Sequence, residues 1–163
     1  MNALDVLKYG HSFVHRNIDD LPQTLWNTNG VCGVWSVKDI IAHLTSFEHL
    51  LEEVLMGFVG GGPTPYLEAM ANSEQSFNDV QVAQRNGMSP GEVLAEYNET
   101  YSRVAKCAAQ IPAETWRKTG TIPWYGADYA LDDYVVYAFY GHKREHISQV
   151  NVYKDSLKTG GKL

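Results

Sequence analysis

His142 and His146 stand four residues apart in Gly141-His142-Lys143-Arg144-Glu145-His146, inside a stretch whose apolar residues recur with helical period. A helix of 3.6 residues per turn places residues four apart on one face, one above the other. This is the spacing at which one helix offers two imidazoles to a single metal ion. The pair lies in register with Val135, Ala138, Phe139 and Val150, the apolar stripe of its helix, where a polar ring without a partner is costly. His43 holds the equivalent place on another helical segment, between Ile40 and Phe47. Three core-directed histidines on two helices share one explanation in a divalent ion; the alternative is that each ring bonds a neighbouring carboxylate or tyrosine. Three neutral imidazoles leave a tetrahedral ion such as zinc one open position. There the ion can activate a water for hydrolysis or hold a thiol as thiolate, so the ligand set alone does not choose between hydrolase and transferase.

Other polar residues carry two readings each. Gln149, three residues after His146, either orients a ligand or contacts substrate, or is a polar residue on the helix flank. Glu145 is an outer partner of an imidazole or a member of a surface ion pair. Trp124 and Tyr125, ahead of the last helix, cover the mouth of the site or simply pack. His11 and His15 form a rival pair at the same spacing, with no third ligand implied; they read as a core-edge and a surface histidine. His49, six residues from His43, points away from it and is expected at the surface. The chain carries no nucleophile elbow, phosphate loop or dinucleotide fingerprint.

Four helical segments must position these residues. The first runs from about Asn2 to Asp20, weakened by Gly10 and followed by Pro22. The second starts at Ser36, which can cap, with Asp39 three residues on, and ends at Gly60-Gly61-Gly62-Pro63. The third starts at Ser89-Pro90-Gly91-Glu92 and stops before Pro112. The fourth spans about Leu131 to Leu157. About thirty residues separate the second from the third, with a short helix expected near Ser73–Arg85. That length permits a crossover connection. Thr119–Tyr125 is the one candidate for an extended piece. The pattern predicts an all-α four-helix bundle forming a single domain over residues 1–163.

Composition narrows the function. The formal charge of −6 and the lack of a Lys/Arg cluster argue against nucleic acid or an anionic membrane as partner. The two cysteines, Cys32 and Cys107, form no metal or disulfide spacing and suit a reducing compartment. The N-terminal Met1–Asp5 lacks a signal-peptide pattern and no apolar run approaches a membrane span, so a cytoplasmic protein is expected.

Trp35-Ser36-Val37-Lys38-Asp39-Ile40-Ile41-Ala42-His43-Leu44 resembles the W-S-x-x-[DE]-x-x-x-H-L segment of the DinB-like (DinB/YfiT) metalloprotein superfamily. Gly141–Val150 resembles its closing H-x-x-x-H-x-x-Q segment, in order and about a hundred residues on. The Ile122-Pro123-Trp124-Tyr125-Gly126 loop is similar to the ClbS/DfsB-like branch. The resemblance implies an up-down-down-up helix order and a divalent ion, nickel or zinc, on His43, His142 and His146. It implies a small-molecule substrate, with a low-molecular-weight thiol as cosubstrate in some members, and a homodimer. The expected function is a metal-dependent thiol S-transferase, isomerase or hydrolase; the alternative is a resistance protein that sequesters a small molecule without turnover.

Overall fold

Asn2 opens the first helix: its side-chain oxygen accepts the backbone N–H of Leu4 at 3.0 Å, satisfying one of the donors a helix start leaves free. The computed structural model describes residues 2–73 and 76–161. Its long helices are α1 (Ala3–Ile18), α2 (Val37–Met56), α5 (Pro90–Ala108) and α8 (Gly141–Thr159), joined by the shorter α3 (Pro65–Asn72), α4 (Phe77–Ala83), α6 (Ala113–Trp116) and α7 (Leu131–Tyr134). The fold is all-helical, with no strand among the described residues and one isolated bridge between Cys32 and Trp35. No described helix is long and apolar enough to cross a membrane.

Both expected caps form. Ser36 and Asp39 exchange a capping box at the start of α2, as Ser89 and Glu92 do at the start of α5. The loop into α2 is fixed by Trp26, whose indole N–H donates to the Leu21 carbonyl at 3.1 Å and whose own carbonyl accepts from the Lys38 N–H at 3.0 Å. Trp26 is only 1% exposed, so this loop carries a core side chain of its own.

The segment between α2 and α5 holds α4 where a short helix is expected, and α3 as well. Thr64 gives α3 no side-chain cap. Instead the buried Glu53 carboxylate of α2 accepts the N–H groups of Tyr66 and Leu67 at 2.9 and 2.8 Å, capping α3 from a neighbouring helix. Arg85 ends this segment with a two-pronged pair to Glu96 of α5, at 2.8 and 2.6 Å, and donates to the Tyr66 hydroxyl.

Thr119–Tyr125 does not extend. It is a run of turns in which Gly120 adopts φ 74° and its N–H reaches the Tyr129 carbonyl. The last helix is continuous from Leu131 to Thr159 but passes through a π segment, Val135–Tyr140. Leu131, Val135, Phe139, Lys143 and Ile147 are all buried, each four residues after the last. In a pure α-helix each such step drifts about 40° round the axis. The wider π turn takes up part of that drift and keeps the row facing inward.

The buried apolar residues fall into two clusters. One takes Ala3 and Leu7 of α1, Leu51 and Leu55 of α2, Val104 and Ala108 of α5, and Leu131 to Phe139. The other takes Val14 and Ile18, Val37 to Leu44, Val93 and Tyr97, and Ile147 and Val150. Between them every long helix contributes polar groups to a belt: His11, then Glu48, then Thr100, then His142, Lys143 and His146.

Candidate metal centre

His43 lies two turns into α2, so the Ser36–Asp39 box that fixes the helix start also fixes its azimuth. The carboxylate of Asp39 accepts the Ser36 N–H at 2.9 Å and hydroxyl at 2.8 Å. His142 and His146 lie on the first two turns of α8, directly after the π segment. The structure brings all three rings together. His142 Nε2 is 2.9 Å from His43 Nε2 and 2.9 Å from His146 Nε2, and one ring nitrogen from each lies within 4.8 Å of the others.

This arrangement fits a cation better than hydrogen bonds among the rings. A neutral imidazole has one N–H, so the His142 Nε2 proton could serve one neighbour and would face the other. A tetrahedral zinc asks for nitrogens about 3.3 Å apart; the two separations from His142 are a few tenths of an ångström shorter, and the three ligand nitrogens lie within 4.8 Å of one another. The His43 Nδ1 is buried with no hydrogen-bond partner among the described residues. His146 is held by Gln149, whose side-chain carbonyl accepts from the His146 Nδ1–H at 2.9 Å and turns the Nε2 lone pair inward.

Electrostatics agree. Burial, then His142 and His146, push His43 down to about 3; burial, then His146 and Lys143, push His142 down to about 4. Both rings are therefore neutral, and able to donate a lone pair, across the physiological range.

The walls are aromatic. The Trp35 ring lies 4.9 Å from that of His43 and 6.3 Å from that of His146. Phe47 lies 4.8 Å from His43 and 4.4 Å from His142, and touches Phe77 and Phe139 in turn. Trp35, just ahead of α2, is thus a wall of the site. Phe47 is legible as a wall, since it follows His43 by one helical turn.

Other residues lie elsewhere. Glu145 is exposed on α8. Trp124 and Tyr125 make ring contacts with each other and with Tyr134, and Trp124 lines a groove with Glu53 and Phe58, three turns along α2 from His43. Among the described residues their ring contacts do not include an imidazole. His11 stacks flat on Tyr101 at 3.8 Å, while both nitrogens of His15 are used, by Asp19 at 3.0 Å and Asn98 at 2.7 Å. The rival pair is thus taken up by other partners. His49 is not the surface residue its spacing suggests: its ring stacks on Tyr66 at 4.3 Å and its Nε2 meets Glu96 at 3.0 Å. The segment between α2 and α5 folds over it with Tyr66, which α2 alone gives no means of foreseeing.

Sequence reasoning also passes over Glu48 and Lys143, which form a buried ion pair in the polar belt. The signal was available: Glu48 falls four residues after Leu44, on the inward face of α2.

Comparison with known proteins gives one match. Residues 8–135, more than three quarters of the chain, match the model of the mycothiol maleylpyruvate isomerase N-terminal domain. His43 lies inside the matched stretch; His142 and His146 lie beyond it. No curated protein and no solved structure matches the chain. The match supports the DinB/YfiT-like superfamily and gives no support to the ClbS/DfsB-like branch. With its helical fold and its cluster of three imidazoles, the chain belongs to the mycothiol maleylpyruvate isomerase N-terminal domain family, within the DinB/YfiT-like superfamily.

Proposed function

We propose that His43, His142 and His146 bind one divalent ion, zinc or nickel, and that the protein is a metal-dependent enzyme acting on a small molecule. The observation that carries this is the gathering of three ring nitrogens within 4.8 Å of one another, with His142 Nε2 2.9 Å from each of the other two rings' Nε2. An ion held there supplies Lewis-acid chemistry that makes a coordinated water or thiol nucleophilic near neutral pH. The chain's own residues set the rest. Gln149 orients His146. Trp35 and Phe47 offer apolar walls that limit water and leave the reacting group little else to bind. The family's printed name, mycothiol maleylpyruvate isomerase N-terminal domain, favours thiol S-transfer or isomerisation with a low-molecular-weight thiol over hydrolysis.

We infer one four-helix bundle domain over residues 1–163, with helices running up-down-down-up. It is supported by the way the first half of α1 shares a cluster with the second halves of α2 and α5 and with the start of the last helix. A cytoplasmic homodimer fits the reduced cysteines and the exposed Tyr9 and Tyr137 on α1 and the π segment. The charge of −6 leaves nucleic acid and anionic membrane unfavoured as partners.

The deciding experiment is metal analysis of the purified protein, followed by thiol-transfer and hydrolysis assays of the loaded form. One equivalent of metal per chain and thiol-dependent turnover are expected. A protein that cannot be loaded with zinc, nickel, cobalt or manganese overturns the reading. A second reading, sequestration of a small molecule without turnover, is favoured by the aromatic walls alone; ligand-induced thermal stabilisation with unchanged ligand mass would select it.

A further inference from the structure

The polar belt contains a second linkage between the helices that carry the imidazoles. Glu48 of α2 and Lys143 of α8 form an ion pair whose side chains are 0% and 4% exposed. Neither Glu48 oxygen has a hydrogen-bond partner besides that ammonium group among the described residues. Lys143 is confined on its other sides as well. Its stem crosses α1 at Gly10, where an added Cβ would stand 3.6 Å from Lys143 Cδ and 3.3 Å from the Tyr140 ring. Its ammonium group lies 5.7 Å from the centre of the Tyr97 ring of α5.

Such a pair is a poor source of net stability, because desolvating two charges offsets most of their attraction. What it supplies is direction. Apolar contacts tolerate sliding, whereas a buried ion pair is satisfied at one placement of its two helices. Lys143 adjoins His142 in sequence, and Glu48 lies five residues past His43, about 7.5 Å along the helix axis. A shift of α8 that parted Lys143 from Glu48 would carry His142 and His146 away from His43 by a similar amount.

We propose that Glu48 and Lys143 are positioning residues for the metal centre: their buried pair sets the axial register of α8 on α2 that brings His142 and His146 to His43. The proposal rests on the reading of the three imidazoles as a metal site. Single removal of either charge strands the other in the core, so the test removes both. The variant Glu48→Met with Lys143→Met keeps volume and apolar packing and dispenses with the pair.

The probe is Co2+, titrated into metal-free protein in competition with a chelating dye, with its visible absorption reporting ligand geometry. The double variant is expected to melt no lower than the parent when metal-free, yet to bind Co2+ at least tenfold more weakly and with shifted bands. Parent-like affinity and bands in the double variant overturn the proposal. If the double variant does not fold, Glu48→Asp decides, since it keeps both charges and shortens only their reach. At least threefold weaker Co2+ binding by Glu48→Asp supports positioning, and unchanged binding overturns it. A parent protein that binds no Co2+ defeats the metal reading itself, and positioning with it; a parent that binds beside indifferent variants defeats positioning alone.

Discussion

His43 Nε2 and His142 Nε2 face each other at 2.9 Å, across two helices and ninety-nine residues of chain. Both rings are buried or half-buried, both are held neutral, and His146 brings a third nitrogen to the same point. Replacing any one of the three by alanine is therefore expected to weaken Zn2+ or Co2+ binding at least 100-fold, as read by competition with a chelating dye. His11→Ala and His15→Ala should leave that affinity within about twofold, because their rings are engaged by Tyr101, Asp19 and Asn98. Chelation should lower the Tm of the parent protein and leave the three site variants unmoved, since bound metal stabilises only a fold that binds it. Loss of metal from His11→Ala would place the site elsewhere.

Gln149 accepts from His146 Nδ1–H at 2.9 Å and so fixes both the tautomer and the tilt of that ring. Outer partners of this kind typically carry 10- to 100-fold in metal affinity. Gln149→Leu should show a loss in that range with an unchanged metal-free Tm, because Gln149 sits half-exposed on the helix flank. Gln149→Glu, which still accepts, should keep most of the affinity. If the leucine variant binds metal like the parent, Gln149 is a flank residue and nothing more.

The caps at Ser36 and Ser89 and the stripes of α2 and α5 were legible because they depend on neighbours three or four residues away. The histidine cluster was legible for the same reason, once Ile40–Phe47 and Val135–Val150 defined two inward faces. The π segment was not, because a row of buried residues every four positions is compatible with a drifting α-helix until the packing is known. Nor was the burial of His49, or the capping of α3 by Glu53, since both depend on the path of the segment between α2 and α5, which the sequence leaves open. Glu48 and Lys143 fall between these cases: each was visibly charged on an inward face, but only their meeting explains either.

The Glu53 carboxylate supplies the cap that Thr64 does not, accepting from Tyr66 and Leu67 at 2.9 and 2.8 Å. Hydrogen bonds to a charged group contribute about 1.5–3 kcal/mol each, and the local context reduces the sum. Glu53→Leu is expected to lower global stability by about 1–3 kcal/mol. Its more telling effect is local: amide exchange in Tyr66–Asn72 should quicken while metal affinity stays as in the parent, because Glu53 lies ten residues along α2 from His43. Uniform exchange across α3 and α5 in the variant would show that α3 is held by packing and not by its borrowed cap.

His11 gives the fold a pH dependence separate from that of the three clustered imidazoles. Its ring lies flat on Tyr101, with Nδ1 buried and without a hydrogen-bond partner among the described residues, and burial, then the nearby His15 and Lys143, push it down to about 3. In the unfolded chain the same ring takes a proton near 6.5. Below that pH the unfolded state binds more protons than the native state, so stability falls as pH drops from 6.5 towards 3 and is fully present above 6.5. His11→Phe keeps the stacking and removes the titration. In urea unfolding of the metal-free protein, the variant should gain on the parent by about 1–2 kcal/mol between pH 7 and pH 4.5, a range reduced for the ring's partial exposure. His43 and His142, which are also held neutral, and the Glu96 carboxylate, which against its burial His49 and Arg85 hold down to about 2, contribute slope that the variant keeps. Parallel stability curves for His11→Phe and the parent would mean that the His11 ring gains its proton without leaving the fold.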